Sequence, residues 1–96
     1  MNPNYVRGRA LEYDVVHDYR ARGWWACRMA GSHSEVDVVA LKQGEVHLIQ
    51  CSCKKGGKSK TDLLALQELA KENLCRAFHA YRENGVKYEE VACRYG

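Results

Sequence analysis

The stretch from Glu45 to Cys53 limits the fold more than any other part of the chain. Read as a strand, it places Val46, Leu48, Gln50 and Ser52 on one face and His47, Ile49, Cys51 and Cys53 on the other. Both faces are largely apolar through the middle, so the strand must be covered on both sides and therefore lies in the centre of a layered sheet. The covers have to come from the rest of a 96-residue chain, a length that fits one domain spanning residues 1–96.

The first cover is a helix from Tyr5 to Arg22. Leu11, Val15, Val16 and Tyr19 recur at helical spacing, and Gly23 stands where a helix-ending glycine belongs. Trp24 to Met29 reads as a strand, with turn chemistry in Gly31-Ser32-His33-Ser34, and Val36 to Leu41 as a second strand ending at Gln43-Gly44. Thr61 is the expected N-cap of a second helix with Leu63, Leu66, Ala70 and Leu74 as its apolar stripe. Arg76 to Tyr81 and Val86 to Arg94 complete the strands, and Asn84-Gly85 marks a tight hairpin between them. The order α-β-β-β-α-β-β describes an α/β fold, a central mixed five-stranded sheet flanked by two helices.

The formal charge of +3 names no partner, but its distribution does more. Lys54, Lys55, Lys58 and Lys60 fall within seven residues that hold two glycines and no acid, and Arg7 and Arg9 form a second acid-free patch. A solvated loop explains such runs as well as phosphate binding does. No apolar run approaches the about 20 residues needed to cross a bilayer, and a cytoplasmic location (host cytoplasm for a viral chain) is expected. The five cysteines are odd in number and lack a CxxC pair, so buried free thiols fit better than a disulfide framework or a zinc module. The four histidines show no metal spacing.

Two polar residues interrupt adjacent apolar strands. Asp37 precedes Val38-Val39-Ala40-Leu41, and an acid there is costly unless it is paired, hydrogen-bonded or bound to metal. Gln50 lies between Ile49 and Cys51 one hairpin later. Taken singly, Asp37 as a turn cap and Gln50 as a backbone partner explain them equally well.

As an ordered set, Glu12, Gly31-Ser32, Asp37-Val38-Val39-Ala40 and Ile49-Gln50-Cys51-Ser52 resemble the PD-(D/E)xK nuclease superfamily, and most nearly its archaeal-type Holliday junction resolvases. The likeness runs in register over about the first 60 residues and includes the basic Arg7-Gly8-Arg9 start. It implies a restriction-endonuclease-like core and a Mg²⁺-dependent endonuclease (Mn²⁺ as substitute) that resolves four-way DNA junctions as a homodimer. Glu12, Asp37, Gln50 and the backbone carbonyl of Cys51 would ligate the metal, which prefers oxygen ligands and activates water for in-line attack. Ser32 would contact the scissile phosphate or help place the water. Arg7, Arg9, Lys54, Lys55, Lys58 and Lys60 are the DNA-binding candidates, recognising phosphates and shape.

Two positions depart from the family pattern. Gln50 stands where a second strand acid is usual, and Ser52 stands where a lysine stabilises the transition state, which a short neutral hydroxyl cannot do. Either Ser52 replaces the lysine outright and leaves catalysis impaired, or Lys54, on the same face of a regular strand, takes over. The first reading expects Ser52→Lys to raise cleavage. Trp24, Trp25, Phe78, Tyr81 and Tyr88 are candidates for a dimer interface as well as for the core. The alternatives are another restriction-like or repair nuclease, or a non-catalytic DNA-binding module on the same scaffold.

Overall fold

The computed structural model describes residues 3–29 and 35–91, with side chains in the first helix from Arg9 onward. The elements are α1 (Pro3–Ala21), β1 (Trp25–Arg28), β2 (Val38–Lys42), β3 (Glu45–Cys51), α2 (Lys60–Glu72), β4 (Arg76–Arg82) and β5 (Val86–Glu90). The order matches the sequence reading. The sheet runs β1-β2-β3-β4-β5, with β3 and β4 parallel and every other neighbouring pair antiparallel. The double-faced strand β3 is central, as its pattern requires.

Each helix covers one face. Leu11, Val15, Val16 and Tyr19 of α1 are buried on Ala26, Val38, Ala40, Ile49, Cys51 and Ala80. Leu66 and Ala70 of α2 pack with Val36, Leu48 and Ala77 on the other face. Burying a side chain such as Leu11 or Leu66 contributes about 1.5–3 kcal/mol each, so the two stripes fix which way every strand faces. Gly23 ends α1 at φ +89, with its N–H bonded to the Arg20 carbonyl and that of Trp24 bonded to the Tyr19 carbonyl, the paired bonds of a Schellman ending. Gln43-Gly44 and Asn84-Gly85 all have positive φ, as tight antiparallel reversals demand.

Several boundaries differ from the sequence reading. β3 stops at Cys51 and not at Cys53, because the Asp37 carboxylate takes the Cys51 N–H and the ladder to β4 closes with Ser52 N–H on the Ala80 carbonyl. Lys54 therefore does not continue the face of Gln50. The cap of α2 is Ser59, whose hydroxyl accepts from the Asp62 N–H at 3.1 Å, two residues before Thr61. Leu74 lies beyond that helix at φ +55 and is 89% exposed, so it is no part of the stripe; Leu69 packs there instead. β5 ends at Glu90, and residues 92–94 of its expected continuation lie outside the described residues. Of the aromatic residues, Trp24, Phe78 and Tyr88 pack on the core and Tyr81 is buried, whereas Trp25 is 58% exposed on the edge strand β1. No helix among the described residues is long and apolar enough to cross a membrane.

Candidate functional site

The strand register aligns polar residues that are scattered in sequence. Asp37, one residue before β2, donates its N–H to the Ile49 carbonyl and accepts the Cys51 N–H on Oδ2, which fixes it beside the end of β3. Gln50 is aligned with His79 across β3 and β4, and His79 with Glu89 across β4 and β5. Partners in register share a face, so a polar row runs from Gln50 through His79 to Glu89 near the C-terminal end of β3.

Asp37 is held by its backbone on two sides. Its N–H donates to the Ile49 carbonyl and its carbonyl accepts from the Met29 N–H, each at 2.9 Å. Oδ2 accepts from the Cys51 N–H at 2.8 Å. Gln50 is buried, and its Oε1 is, among the described residues, the buried side-chain oxygen or nitrogen that lacks a hydrogen-bond partner. Such an orphan costs about 1–3 kcal/mol, so natural structures rarely keep one without a use.

Glu12 reaches the region from the middle of α1. Its Oε1 accepts from Arg28 Nε at 2.9 Å, with both side chains less than a fifth exposed. The bond to Glu12 holds the Arg28 guanidinium firmly charged, and Arg28 also donates to the Tyr13 hydroxyl at 3.1 Å. The Cys51 thiol registers how these charges converge. Burial pushes its pKa up, the negative charges of Asp37 and Glu12 push it further, and the ammonium of Lys58 acts in the opposite direction. Both carboxylates and one lysine therefore act on the last residue of β3.

Ser52 does not face open solvent as a lysine substitute would. Its Oγ is hydrogen-bonded to Nε2 of the fully buried His79 and donates to the Lys54 carbonyl at 2.8 Å. Nδ1 of His79 bonds Glu89 Oε1 at 2.9 Å. The turn over Ser52 is tight: Gly57 N–H donates to the Lys54 carbonyl, Gly56 has φ +77, and a Cβ at Gly57 would come within 2.8 Å of Ser52 Oγ. Only glycine fits at that distance.

The structure thus brings Glu12, Asp37, Gln50, Cys51 and Ser52 to one end of β3. Lys54, Lys55 and Lys60 are exposed beside it and Lys58 is half-buried, while Arg9 is exposed on α1. Ser32, His33 and the Arg7 side chain lie outside the described residues. Arg28, His79 and Glu89 escaped the sequence reading. His79 carried a signal of the same kind as Gln50, a polar residue inside an apolar strand, but its partners depend on register. The other buried histidine, His47, bonds the Tyr19 hydroxyl and Glu45 towards the far end of β3, while His17 is exposed on α1. Among the described residues no three His, Cys, Asp or Glu side chains gather within reach of one metal ion. Asp37 and Glu12 both act on Cys51, whereas the Gln50 side chain leaves β3 on the opposite face, with Leu48.

The fold is similar to that of Archaeoglobus fulgidus Hjc, a Holliday junction resolvase from an archaeal hyperthermophile. The TM-score is 0.74 at 21% identity, over 88% of this chain and 73% of that one. No curated protein matches significantly. The archaeal Holliday junction resolvase (Hjc) family profile matches residues 3–93, nearly the whole chain. On that match, with the polar row and the five-stranded fold that carries it, the chain belongs to the archaeal Holliday junction resolvase family.

Proposed function

We propose that this chain is a divalent-cation-dependent endonuclease that cuts four-way DNA junctions, with turnover weakened by Ser52. The observation that carries the metal reading is Gln50 Oε1, buried, unpartnered among the described residues and at the same end of β3 as Asp37. Asp37, Glu12 and Gln50 Oε1 would hold Mg²⁺ or Mn²⁺. The Cys51 carbonyl would join them, because in an extended residue N–H and C=O point to the same strand edge, and its N–H points to Asp37. When bound, the ion activates water and offsets charge on the leaving oxygen. Arg28 orients Glu12 through the bond to its Oε1. The lysine loop, which begins directly after Ser52, holds the phosphates flanking the cut, with Arg9 as a further contact.

Paired cuts on opposed strands call for a C₂ homodimer, whose symmetry matches that of a junction. The exposed Trp25, aligned with Leu41 (42% exposed), gives the β1 edge an apolar patch suited to that contact.

The test is cleavage of a synthetic four-way junction beside linear duplex, with Mg²⁺ or Mn²⁺, by this chain and by Asp37→Asn. Slow, junction-selective cutting that the substitution abolishes without loss of junction binding is expected. Equal cutting of linear duplex would instead indicate a restriction-like or repair nuclease. Junction binding with no metal-dependent cutting would indicate a non-catalytic DNA-binding module on the same scaffold.

A further inference from the structure

The chemistry proposed above lacks one component. A phosphate gains negative charge as water attacks, and the family supplies a lysine at the position Ser52 occupies. Ser52 is neutral, and its hydroxyl is already engaged by His79 and the Lys54 carbonyl. His79 is fully buried behind it and cannot reach a phosphate. Lys54 is exposed in the bend, with the strand already ended at Cys51.

Lys58 is placed differently from its neighbours. Lys54, Lys55 and Lys60 are exposed, whereas Lys58 is half-buried, and among the described residues no carboxylate forms an ion pair with it. The turn explains why. The chain leaves β3, reverses through the Lys54–Gly57 hydrogen bond and the left-handed Gly56, and returns across Ser52, packed so closely that Gly57 has no space for a Cβ. The next residue is Lys58. The Gly57–Ser52 contact thus brings the chain back, just before Lys58, to the end of β3 where Asp37 takes the Cys51 N–H.

We propose that Lys58, returned to the site by the glycine turn, is the catalytic ammonium that position 52 does not provide. The inference rests on the metal-dependent nuclease reading above. Lys58 donates N–H to a non-bridging oxygen of the scissile phosphate as negative charge builds there. The water oxygen bonds to phosphorus, the bond to the leaving sugar oxygen breaks, and the water's proton ends, through solvent, on that oxygen. Lys58 stays charged throughout.

Two measurements test this, one independent of turnover. An ammonium near a cation site repels the metal, so Lys58→Gln should bind Mn²⁺ roughly three- to tenfold more tightly by calorimetry, while Lys71→Gln at the far end of α2 changes nothing. In single-turnover cleavage of a saturating junction, Lys58→Gln should be on the order of 100-fold slower, with junction Kd changed only about threefold or less. Lys71→Gln should leave both the saturated rate and the junction Kd unchanged. Unchanged Mn²⁺ affinity in Lys58→Gln, or a saturated rate equal to the parent's, overturns the assignment while leaving the metal site intact. Failure of the parent chain to bind Mn²⁺ overturns the site itself and the role of Lys58 with it.

Discussion

Replacing Gln50 by glutamate tests whether the orphaned amide is a metal ligand or a packing fault. The side chain is 6% exposed and its Oε1 has no partner among the described residues. Asp37 lies at the same end of β3, its Oδ2 on the N–H of the adjacent Cys51. Without metal, a second carboxylate within about 5–8 Å of it meets a repulsion of about 2–3 kcal/mol at an effective dielectric constant near 20. The protein relieves this by keeping the new carboxyl protonated, which still leaves a loss of about 1–3 kcal/mol. For a domain of this size that lowers Tm by roughly 5–15 °C. With metal the sign reverses, because the added charge becomes a ligand. Metal at about 100 times its Kd stabilises the fold by about 2.7 kcal/mol, and a tenfold gain in affinity adds about 1.4 kcal/mol more. Gln50→Glu should therefore melt below the parent in EDTA and narrow or reverse the gap in excess Mn²⁺, with calorimetry showing at least about tenfold tighter binding. Equal melting in EDTA together with unchanged Mn²⁺ affinity would refute the placement of Gln50 in a metal site.

Two further outcomes are expected. Ser52→Lys should raise junction cleavage and also lower stability by about 1–3 kcal/mol, because it strands the buried His79 Nε2 and meets a turn with no free space at Gly57. Thermal melts and junction cleavage read both effects, and a variant as stable as the parent would show that the Ser52–His79 bond contributes nothing. Arg76 holds Glu90 below the usual carboxylate range, and His47 and then Arg76 do the same for Glu45. A lowered folded-state pKa adds stability above the unfolded value near 4.3 and loses it as pH falls through the folded value, so Arg76→Gln should flatten the decline in Tm between about pH 5 and pH 3. The pairs are about half exposed and the effect is small; an acid limb as steep as the parent's would mean that they carry none of it.

The sequence alone determined what depends on local periodicity and turn chemistry. The apolar stripe of α1, the glycine that ends it, the two-faced run in β3 and the tight reversals at Gln43-Gly44 and Asn84-Gly85 are short-range signals, and the structure bears each of them out. Gln50 was legible as an isolated polar residue in an apolar strand, and Asp37 as an acid beside one, although the strand expected from Val36 begins only at Val38. The ordered set from Glu12 to Ser52 pointed to the family that the profile match shows.

Tertiary structure decided how those residues meet. That Gln50, His79 and Glu89 align depends on the parallel β3–β4 pairing and the β4–β5 register, neither of which a local pattern encodes. Arg28 meets Glu12 because helix and strand cross there, sixteen residues apart. The strand ends at Cys51 because the side chain of Asp37, just ahead of β2, takes its N–H, and that ending, with the glycine turn behind it, separates half-buried Lys58 from its exposed neighbours. A sequence fixes where each side chain points along its own element, through backbone geometry. Which charges share a site is set by contacts between elements, where a register shift of one residue would turn every partner to the opposite face.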